Sequence, residues 1–186
     1  MTGEPTEHSV WRRELARELA SFYASDSSVT MICLGGSSAR GIADRWSDID
    51  LIVYWDALDE KTVRSGVPGL QRTDMLPTSA GTFIESYHLE GLKVDFGHVK
   101  LSDWKNWMEP LHSTPEPDPE LVNMAGGFLS SMVLHGRECF REMEKTYSSY
   151  PTGLAEYILR KNMGFFVSNY LSGQCWERGD LAAWFQ

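Results

Sequence analysis

The feature that most constrains this chain is an acidic segment that opens a hydrophobic run, with a glycine-rich turn shortly before it. Residues 47–53 are Ser-Asp-Ile-Asp-Leu-Ile-Val, and residues 35–37 are Gly-Gly-Ser. Because side chains alternate along a β-strand, Asp48 and Asp50 point to one face of this segment. The aliphatic residues between and after them point to the other face. The pattern therefore predicts a strand with a buried apolar face and a doubly acidic one.

A bound cation is the simplest solution for such a pair of carboxylates. Two like charges on one face repel unless a cation or a proton lies between them, and hard oxygen ligands favour Mg²⁺. The turn at residues 35–37 can present backbone N–H groups to phosphates. Together these features predict chemistry on a nucleoside triphosphate.

Composition and charge limit the partners of the chain. Of its 186 residues, 42% are hydrophobic and 23% are charged, which is typical of one or two small globular domains. The net charge is −9, and the 17 Lys and Arg residues form no basic run. Long nucleic acid is therefore a poor fit as a partner, whereas metal ions and polycationic small molecules remain open.

The sequence predicts a cytoplasmic protein that does not cross a membrane. Its first residues are polar and lead into a charged helix, unlike a signal peptide. No apolar run approaches the roughly 20 residues that a membrane span needs. Cys33, Cys139 and Cys175 are too few and too widely spaced for a disulfide framework or a zinc site. We expect structural thiols in a reducing compartment.

Hydrophobic periodicity predicts alternating helices and strands in the first part of the chain. The first helix is expected over residues 9–24, with Arg12, Arg13 and Arg17 facing outward. Strands are expected over 29–34 and 50–55, short helices over 38–45 and 57–64, and a hairpin with arms 82–89 and 92–99. Residues 66–81 are expected to form an irregular connection, and Ser102 is expected to cap the next helix.

A proline-rich segment divides the chain. Residues 114–119 are Thr-Pro-Glu-Pro-Asp-Pro, which predicts a boundary between a domain at 1–113 and a helical domain at 119–186. Helices are expected over 120–134, 137–147 and 153–171. Because the chain stops at Gln186 without a polar tail, we expect this helical domain to be truncated.

The order of these motifs closely resembles the nucleotidyltransferase superfamily typified by DNA polymerase beta. The family pattern is Gly-Ser, a spacer of about ten residues, then two aspartates separated by a hydrophobic residue. It falls here on Gly36-Ser37, on residues 38–47 and on Asp48-Ile49-Asp50. Residues 36–41, Gly-Ser-Ser-Ala-Arg-Gly, also resemble the variant found in small bacterial antibiotic nucleotidyltransferases of the aminoglycoside and lincosamide types. The resemblance covers about residues 10–100.

This resemblance implies an α/β fold in which a short mixed sheet with flanking helices precedes a helical domain. It also implies a third carboxylate at Asp95, on the second hairpin arm. In the family mechanism, two Mg²⁺ ions roughly 3.5–4 Å apart clamp the attacking and leaving oxygens. By this analogy Asp48 and Asp50 bridge the ions, and Asp95 holds the catalytic ion or takes the acceptor's proton.

The same analogy assigns the nucleotide. Gly36 and Ser37 are expected to approach its β- and γ-phosphates, and the planar donor fork of Arg40 is a candidate phosphate partner. ATP is the expected donor, although another nucleoside triphosphate fits equally. Arg40 is also well explained as a solvent-facing helix arginine.

The resemblance leaves the acceptor open. The favoured activity is transfer of AMP from ATP to a hydroxyl of a small molecule such as an antibiotic. The alternatives are a minimal nucleotidyltransferase that modifies a protein or tRNA, and a regulatory module that binds nucleotide without catalysis. A homodimer is also compatible with the sequence.

Several other residues have both a structural and a functional interpretation. Aromatic residues beside the acidic strand are either packed or stacked on a base, and histidines on the hairpin are either structural or close to Asp95. Further acids are either surface groups or a wall for a cationic acceptor, and one late lysine is either solvated or a phosphate ligand. These residues are Trp46, Trp55, His88, His98, Asp74, Glu85, Glu90, Glu116 and Lys161.

Overall fold

The computed structural model describes residues 4–58, 60–77, 82–114 and 117–149, together with residues 153, 154, 156, 157 and 160. Within this part of the chain the strands are β1 (Val29–Leu34), β2 (Ile49–Trp55), β3 (Arg72–Pro77), β4 (Phe83–Leu89), β5 (Leu92–Lys100) and β6 (Met132–His135). The helices are α1 (Glu7–Ala24), α2 (Gly36–Arg40), α3 (Glu60–Ser65), α4 (Leu101–Met108), α5 (Pro110–Ser113), α6 (Pro119–Leu129) and α7 (Arg137–Tyr147).

The six strands form one mixed sheet in the order β3-β4-β5-β2-β1-β6. Strands β2 and β5 are parallel, and every other neighbouring pair is antiparallel. In the parallel pair, Asp50 is the register partner of Asp95. The fold therefore contains the expected short mixed sheet, and its central strands hold two of the three predicted carboxylates side by side.

Helices cover both faces of the sheet. Successive side chains of the central strands point alternately into two apolar cores, and each core needs a layer of helices to bury it. Helix α1 covers one face with residues at helical spacing, among them Ala16, Leu19 and Tyr23. Helices α4, α6 and α7 cover the opposite face, where Tyr54 of β2 packs with Trp104 and with side chains of α6 and α7. Asp50 and Asp95 alternate with residues of the α1 core and therefore lie on the α4–α7 face.

The sequence predicted most of the elements near the acidic strand but missed two strands. The hairpin forms as predicted, whereas residues 72–77, expected in an irregular connection, form β3 along β4. The helix predicted over 120–134 ends at Leu129, and Met132–His135 instead pairs with β1. Pairing with β1 satisfies backbone N–H and C=O groups on the edge of that strand, which would stay unpaired if the helix continued through residues 132–135. The cap of α4 is the backbone of Lys100, one residue before the helix, and not the predicted Ser102.

The predicted helical domain at 119–186 stays a prediction. Residues 161–186 lie outside the described part of the chain, and β6 within 119–149 belongs to the same sheet as β1. Among the described helices, none has the length and apolar character needed to cross a membrane.

Candidate active site

Three aspartates meet where β2 begins beside the fourth residue of β5. Asp48 directly precedes β2, Asp50 is its second residue, and Asp95 lies beside Asp50 on the parallel neighbour. One carboxylate oxygen from each lies within 4.8 Å of those of the other two. The structure thus brings together the three carboxylates that the sequence singled out, and we call them the aspartate triad.

The electrostatics of the triad favour a cation. Burial and, after it, the negative charges of Asp48 and Asp95 raise the pKa of Asp50 to about 6, while Lys93 opposes the rise. Lys93 Nζ donates a 2.5 Å hydrogen bond to Asp95 Oδ2, and this bond raises the pKa of Lys93. Ser86 Oγ donates to Asp95 Oδ1 at 2.7 Å. A cluster of three hard oxygen donors with one partial counter-charge fits the ligand preference of Mg²⁺.

Gly36 packs directly against the triad. Its φ of +65° is a conformation that glycine adopts without steric cost. A Cβ atom at this position would lie 2.5 Å from Asp50 Oδ2, which is closer than atoms can approach. The preceding Gly35 N–H donates to the Asp50 carbonyl at 2.8 Å. The glycine turn predicted to face phosphates therefore lies against an Asp50 carboxylate oxygen.

The other two predicted nucleotide residues lie at opposite ends of α2. Ser37 follows Gly36 in the first turn of the helix and is half-buried, whereas Arg40 is exposed in the last turn. Ser38 between them donates from Oγ to the Asp48 carbonyl at 3.1 Å. Helix α2 is therefore hydrogen-bonded to the backbone of the triad, with Gly36 and Ser37 at the end closer to it.

Two arginines of α1 bind backbone carbonyls of α2 and of the residue just before the triad. Arg12 Nε donates to the Ser47 carbonyl at 2.9 Å, and Arg13 donates to the carbonyls of Ser38 and Ala39. Arg12 is only 2% exposed, so the prediction that these side chains face outward is wrong for Arg12. Helical periodicity gave no signal for this role, because the carbonyls that they bind belong to a distant part of the chain.

A second polar cluster lies on the α1 face and is separate from the triad. Glu85 Oε2 accepts hydrogen bonds from Tyr23 Oη at 2.5 Å and from His98 Nε2 at 3.1 Å. Arg72 donates to Glu85 Oε1 at 2.7 Å. Trp55 Nε1 donates to His98 Nδ1 at 3.2 Å, so the proton of the neutral imidazole is on Nε2. These residues stabilise the fold, and Glu85, which is fully buried, contributes nothing to an acidic wall for an acceptor.

The other residues for which the sequence left a functional interpretation open are either exposed or outside the described part of the chain. Trp46 is 79% exposed, and the Arg45 guanidinium lies over its ring, so Trp46 is not a packed core residue. The hairpin and β3 residues are exposed, and two candidates lie outside the described residues. The exposed residues are Asp74, His88 and Glu90, and those outside the description are Glu116 and Lys161. The sequence did not point to Ser86 or Lys93, which contact the triad.

Two solved structures align with this chain at low similarity. A nucleotidyltransferase-like protein from Exiguobacterium sibiricum aligns over 92% of this chain and 51% of its own, with a TM-score of 0.46 and 16% identity. Cid1 in complex with its short product ApU aligns over 51% of this chain and 32% of its own, with a TM-score of 0.40 and 17% identity. This chain therefore spans about half the length of the first protein and about a third of Cid1.

Sequence comparison gives the family more directly. No curated protein matches the chain. The profile described as the nucleotidyltransferase domain matches residues 12–111, a range that runs from α1 to α5 and contains the glycine turn and the whole triad. This match covers more than half of the chain, and the chain belongs to the nucleotidyltransferase domain family.

Proposed function

We propose that this protein transfers a nucleoside monophosphate, AMP from ATP, to a hydroxyl group of a small molecule. The observation that carries the proposal is the aspartate triad, whose three carboxylates each place an oxygen within 4.8 Å of the others. Three acids held so close together in the folded state are costly without a cation. Residues Asp48 and Asp50 would hold Mg²⁺, and Asp95 would share it.

Bound Mg²⁺ would supply charge neutralisation on the phosphates and on the attacking oxygen, and two ions are the arrangement that the family resemblance implies. In the transfer itself, the acceptor oxygen forms a bond to the α-phosphorus while the bond to pyrophosphate breaks. Asp95 is the group that we propose to receive the hydroxyl proton; Ser86 and Lys93 donate to its two oxygens and so fix the position of the carboxylate.

The phosphates are proposed to lie over the glycine turn. Because Gly36 has no side chain, its backbone lies directly against the Asp50 carboxylate. Phosphates held by Mg²⁺ at Asp50 would therefore lie close to the backbone of Gly36 and Ser37, whose N–H groups can bind anions. Arg40 is exposed at the far end of α2 and is proposed as a partner for the terminal phosphate. The net charge of −9 supports a small acceptor and not a long nucleic acid. An antibiotic hydroxyl is the acceptor type that we propose.

The experiment measures pyrophosphate release from each of the four nucleoside triphosphates with Mg²⁺, across hydroxyl-bearing aminoglycosides and lincosamides and a hydroxyl-free control. We expect release with ATP that depends on one acceptor class. Asp48→Asn should lower the rate by at least about a thousandfold, whereas Asp74→Asn, an exposed aspartate on β3, should leave it unchanged. Full activity in Asp48→Asn would refute the assignment of the triad. Binding of Mg·ATP without release for any acceptor would favour the regulatory module.

A further inference from the structure

An apolar pocket lies on the same face of the sheet as the aspartate triad. Its volume is about 420 Å³, within the roughly 300–1,000 Å³ of sites for small molecules. Its walls come from β2, β4 and β5 on one side and from α4 and α6 on the other. Ile84 in its wall remains 36% exposed, although it is a large aliphatic side chain. The pocket is therefore an open apolar surface and not a gap inside the core.

The register of the sheet places this pocket next to the triad. Asp50 pairs with Asp95, and the next pair on the same face is Ile52 with Gly97, both of which line the pocket. Residues two apart on one strand face lie about 6.6 Å from each other. A molecule of a few rings that fills the pocket can thus place a hydroxyl group at the triad. Gly97 contributes to the space because it has no side chain.

The position of the pocket relative to the triad indicates which substrate it binds. The glycine turn reaches Asp50 from the end of β1, which neighbours β2 on one side, whereas the pocket extends over β5 and β4 on the other. In phosphoryl transfer the attacking and leaving oxygens are roughly in line on opposite sides of phosphorus. With the pyrophosphate over the glycine turn, the attacking hydroxyl comes from the side of the pocket.

The lining defines the chemistry of that molecule. Trp104, Trp107 and Phe128 supply aromatic surface, and the side chains of Ile52 and Ile84 supply aliphatic surface. Among the described residues, the lining includes no acidic side chain and no basic one apart from His98, which is buried on the opposite face and bonded to Glu85. A polycationic acceptor would find no counter-charge in such a pocket, and its ammonium groups would lose their hydration there.

We infer that the acceptor is a neutral hydroxyl compound with an aromatic or aliphatic body, and that this body binds in the pocket between the sheet and helices α4 and α6. The inference rests on the proposed function for the transfer itself. It narrows the acceptor to the apolar class and disfavours an aminoglycoside. The pocket therefore determines acceptor specificity, while the triad determines the reaction.

Two neighbouring glycines of α6 provide a matched test. Gly127 lines the pocket and Gly126 does not, and a Cβ atom at either position would have no neighbour within 4 Å. Gly127→Leu should fill part of the pocket, and Gly126→Leu is its control on the same helix. Gly97→Val fills the pocket from the opposite wall, where a Cβ atom would make only an ordinary 3.9 Å contact with the Leu51 carbonyl.

The probe is 2-(2-naphthyl)ethanol, a neutral aromatic alcohol, with binding followed by calorimetry. We expect binding to the wild type, weakening by about tenfold or more in Gly127→Leu and Gly97→Val, and no change beyond about twofold in Gly126→Leu. Mg·ATP binding should be the same in all four proteins. In turnover, kcat/KM should rise from glycerol to 2-phenylethanol to the naphthyl compound in the wild type and stay flat in Gly127→Leu.

The inference is overturned if the wild type does not bind the probe, or if Gly127→Leu and Gly126→Leu bind it equally. Failure of the proposed function has a different signature. In that case the probe binds and responds to the variants as expected, but no hydroxyl compound supports pyrophosphate release with any nucleoside triphosphate. That result would leave the pocket as a binding site and remove its role as an acceptor site.

Discussion

Removing one charge from the triad should stabilise the metal-free protein while it abolishes activity. In the folded chain, Asp50 is half-buried between two other carboxylates, and burial followed by their charges raises its pKa to about 6 from an ordinary 3.8. Asparagine has nearly the same shape and no charge. Asp50→Asn therefore removes the electrostatic cost of the triad without creating a cavity.

The size of the effect follows from the pKa. One pKa unit corresponds to about 1.4 kcal/mol, so a rise of about 2 corresponds to at most about 3 kcal/mol of destabilisation when the carboxylate is ionised. Asp50 is in partial contact with water, which screens the charges and reduces the expected gain to about 1–2 kcal/mol. For a chain of this length, that gain raises the melting temperature by roughly 2–8 °C.

The stability that Asp50→Asn gains over the wild type should be larger at high pH than at low pH. Because the folded pKa of Asp50 is higher than the unfolded one, the folded state bears the full cost of the charge above about pH 6. Between about pH 6 and pH 4 a proton relieves the repulsion in the folded state of the wild type, and below that range both states are protonated. The advantage of Asp50→Asn should therefore be complete at pH 8 and nearly absent at pH 4.

Urea unfolding with a chelator present measures this difference. Wild type, Asp50→Asn and the exposed control Asp74→Asn are compared at pH 8 and at the lowest pH where all three remain folded. Saturating Mg²⁺ at pH 8 should reverse the order of stability, because the ion binds the intact triad. An Asp50→Asn variant that is no more stable than the wild type at pH 8, or equally favoured at both pH values, would refute the argument.

The remaining predictions concern the glycine turn and the buried cluster. Gly36→Ala should lower activity by about a hundredfold, because its Cβ atom would displace the Asp50 carboxylate, whereas Gly35→Ala, with its nearest contact at 3.5 Å, should keep near-normal pyrophosphate release. Glu85→Ala should cost about 3–5 kcal/mol at pH 7, and the exposed control Glu18→Ala less than about 0.5 kcal/mol. Hydrogen bonds to Glu85 lower its pKa despite burial, so in urea unfolding its contribution should persist above about pH 4.5 and disappear below that. Equal activity of the two glycine variants, or a Glu85→Ala deficit that does not change with pH, would contradict these assignments.

The triad could be predicted from sequence because its chemistry is local. Two of its aspartates lie two residues apart at the start of β2, and strand alternation alone predicts that Asp48 and Asp50 share a face. Asp95 required the family resemblance, because its place beside Asp50 depends on the parallel pairing of β2 with β5 across 45 residues of chain. A hydrophobic pattern gives the type of an element but not its neighbours in the sheet.

The parts that sequence analysis missed depend on long-range contacts. Strand β6 continues an apolar segment that resembles the end of a helix, and its strand conformation comes from pairing with β1. Gly136 follows it with a φ of +72°, and a Cβ atom there would overlap the Thr30 carbonyl of β1. The role of Arg12 likewise depends on the carbonyl of Ser47, which only the folded chain brings near α1.

The two acidic clusters of this sheet show why burial alone does not identify a functional carboxylate. Glu85 is fully buried, yet Tyr23, His98 and Arg72 donate to it, so its charge is satisfied by the protein itself. The Asp50 carboxylate is less buried, but no donor from the described residues bonds to it, and its closest ionisable neighbours are also acids. A carboxylate with a full set of donors stabilises the fold, whereas one surrounded by other carboxylates requires a partner from outside the chain. This difference in hydrogen bonding, more than the sequence motif, is the physical reason to place the chemistry of this protein at Asp50 and its neighbours.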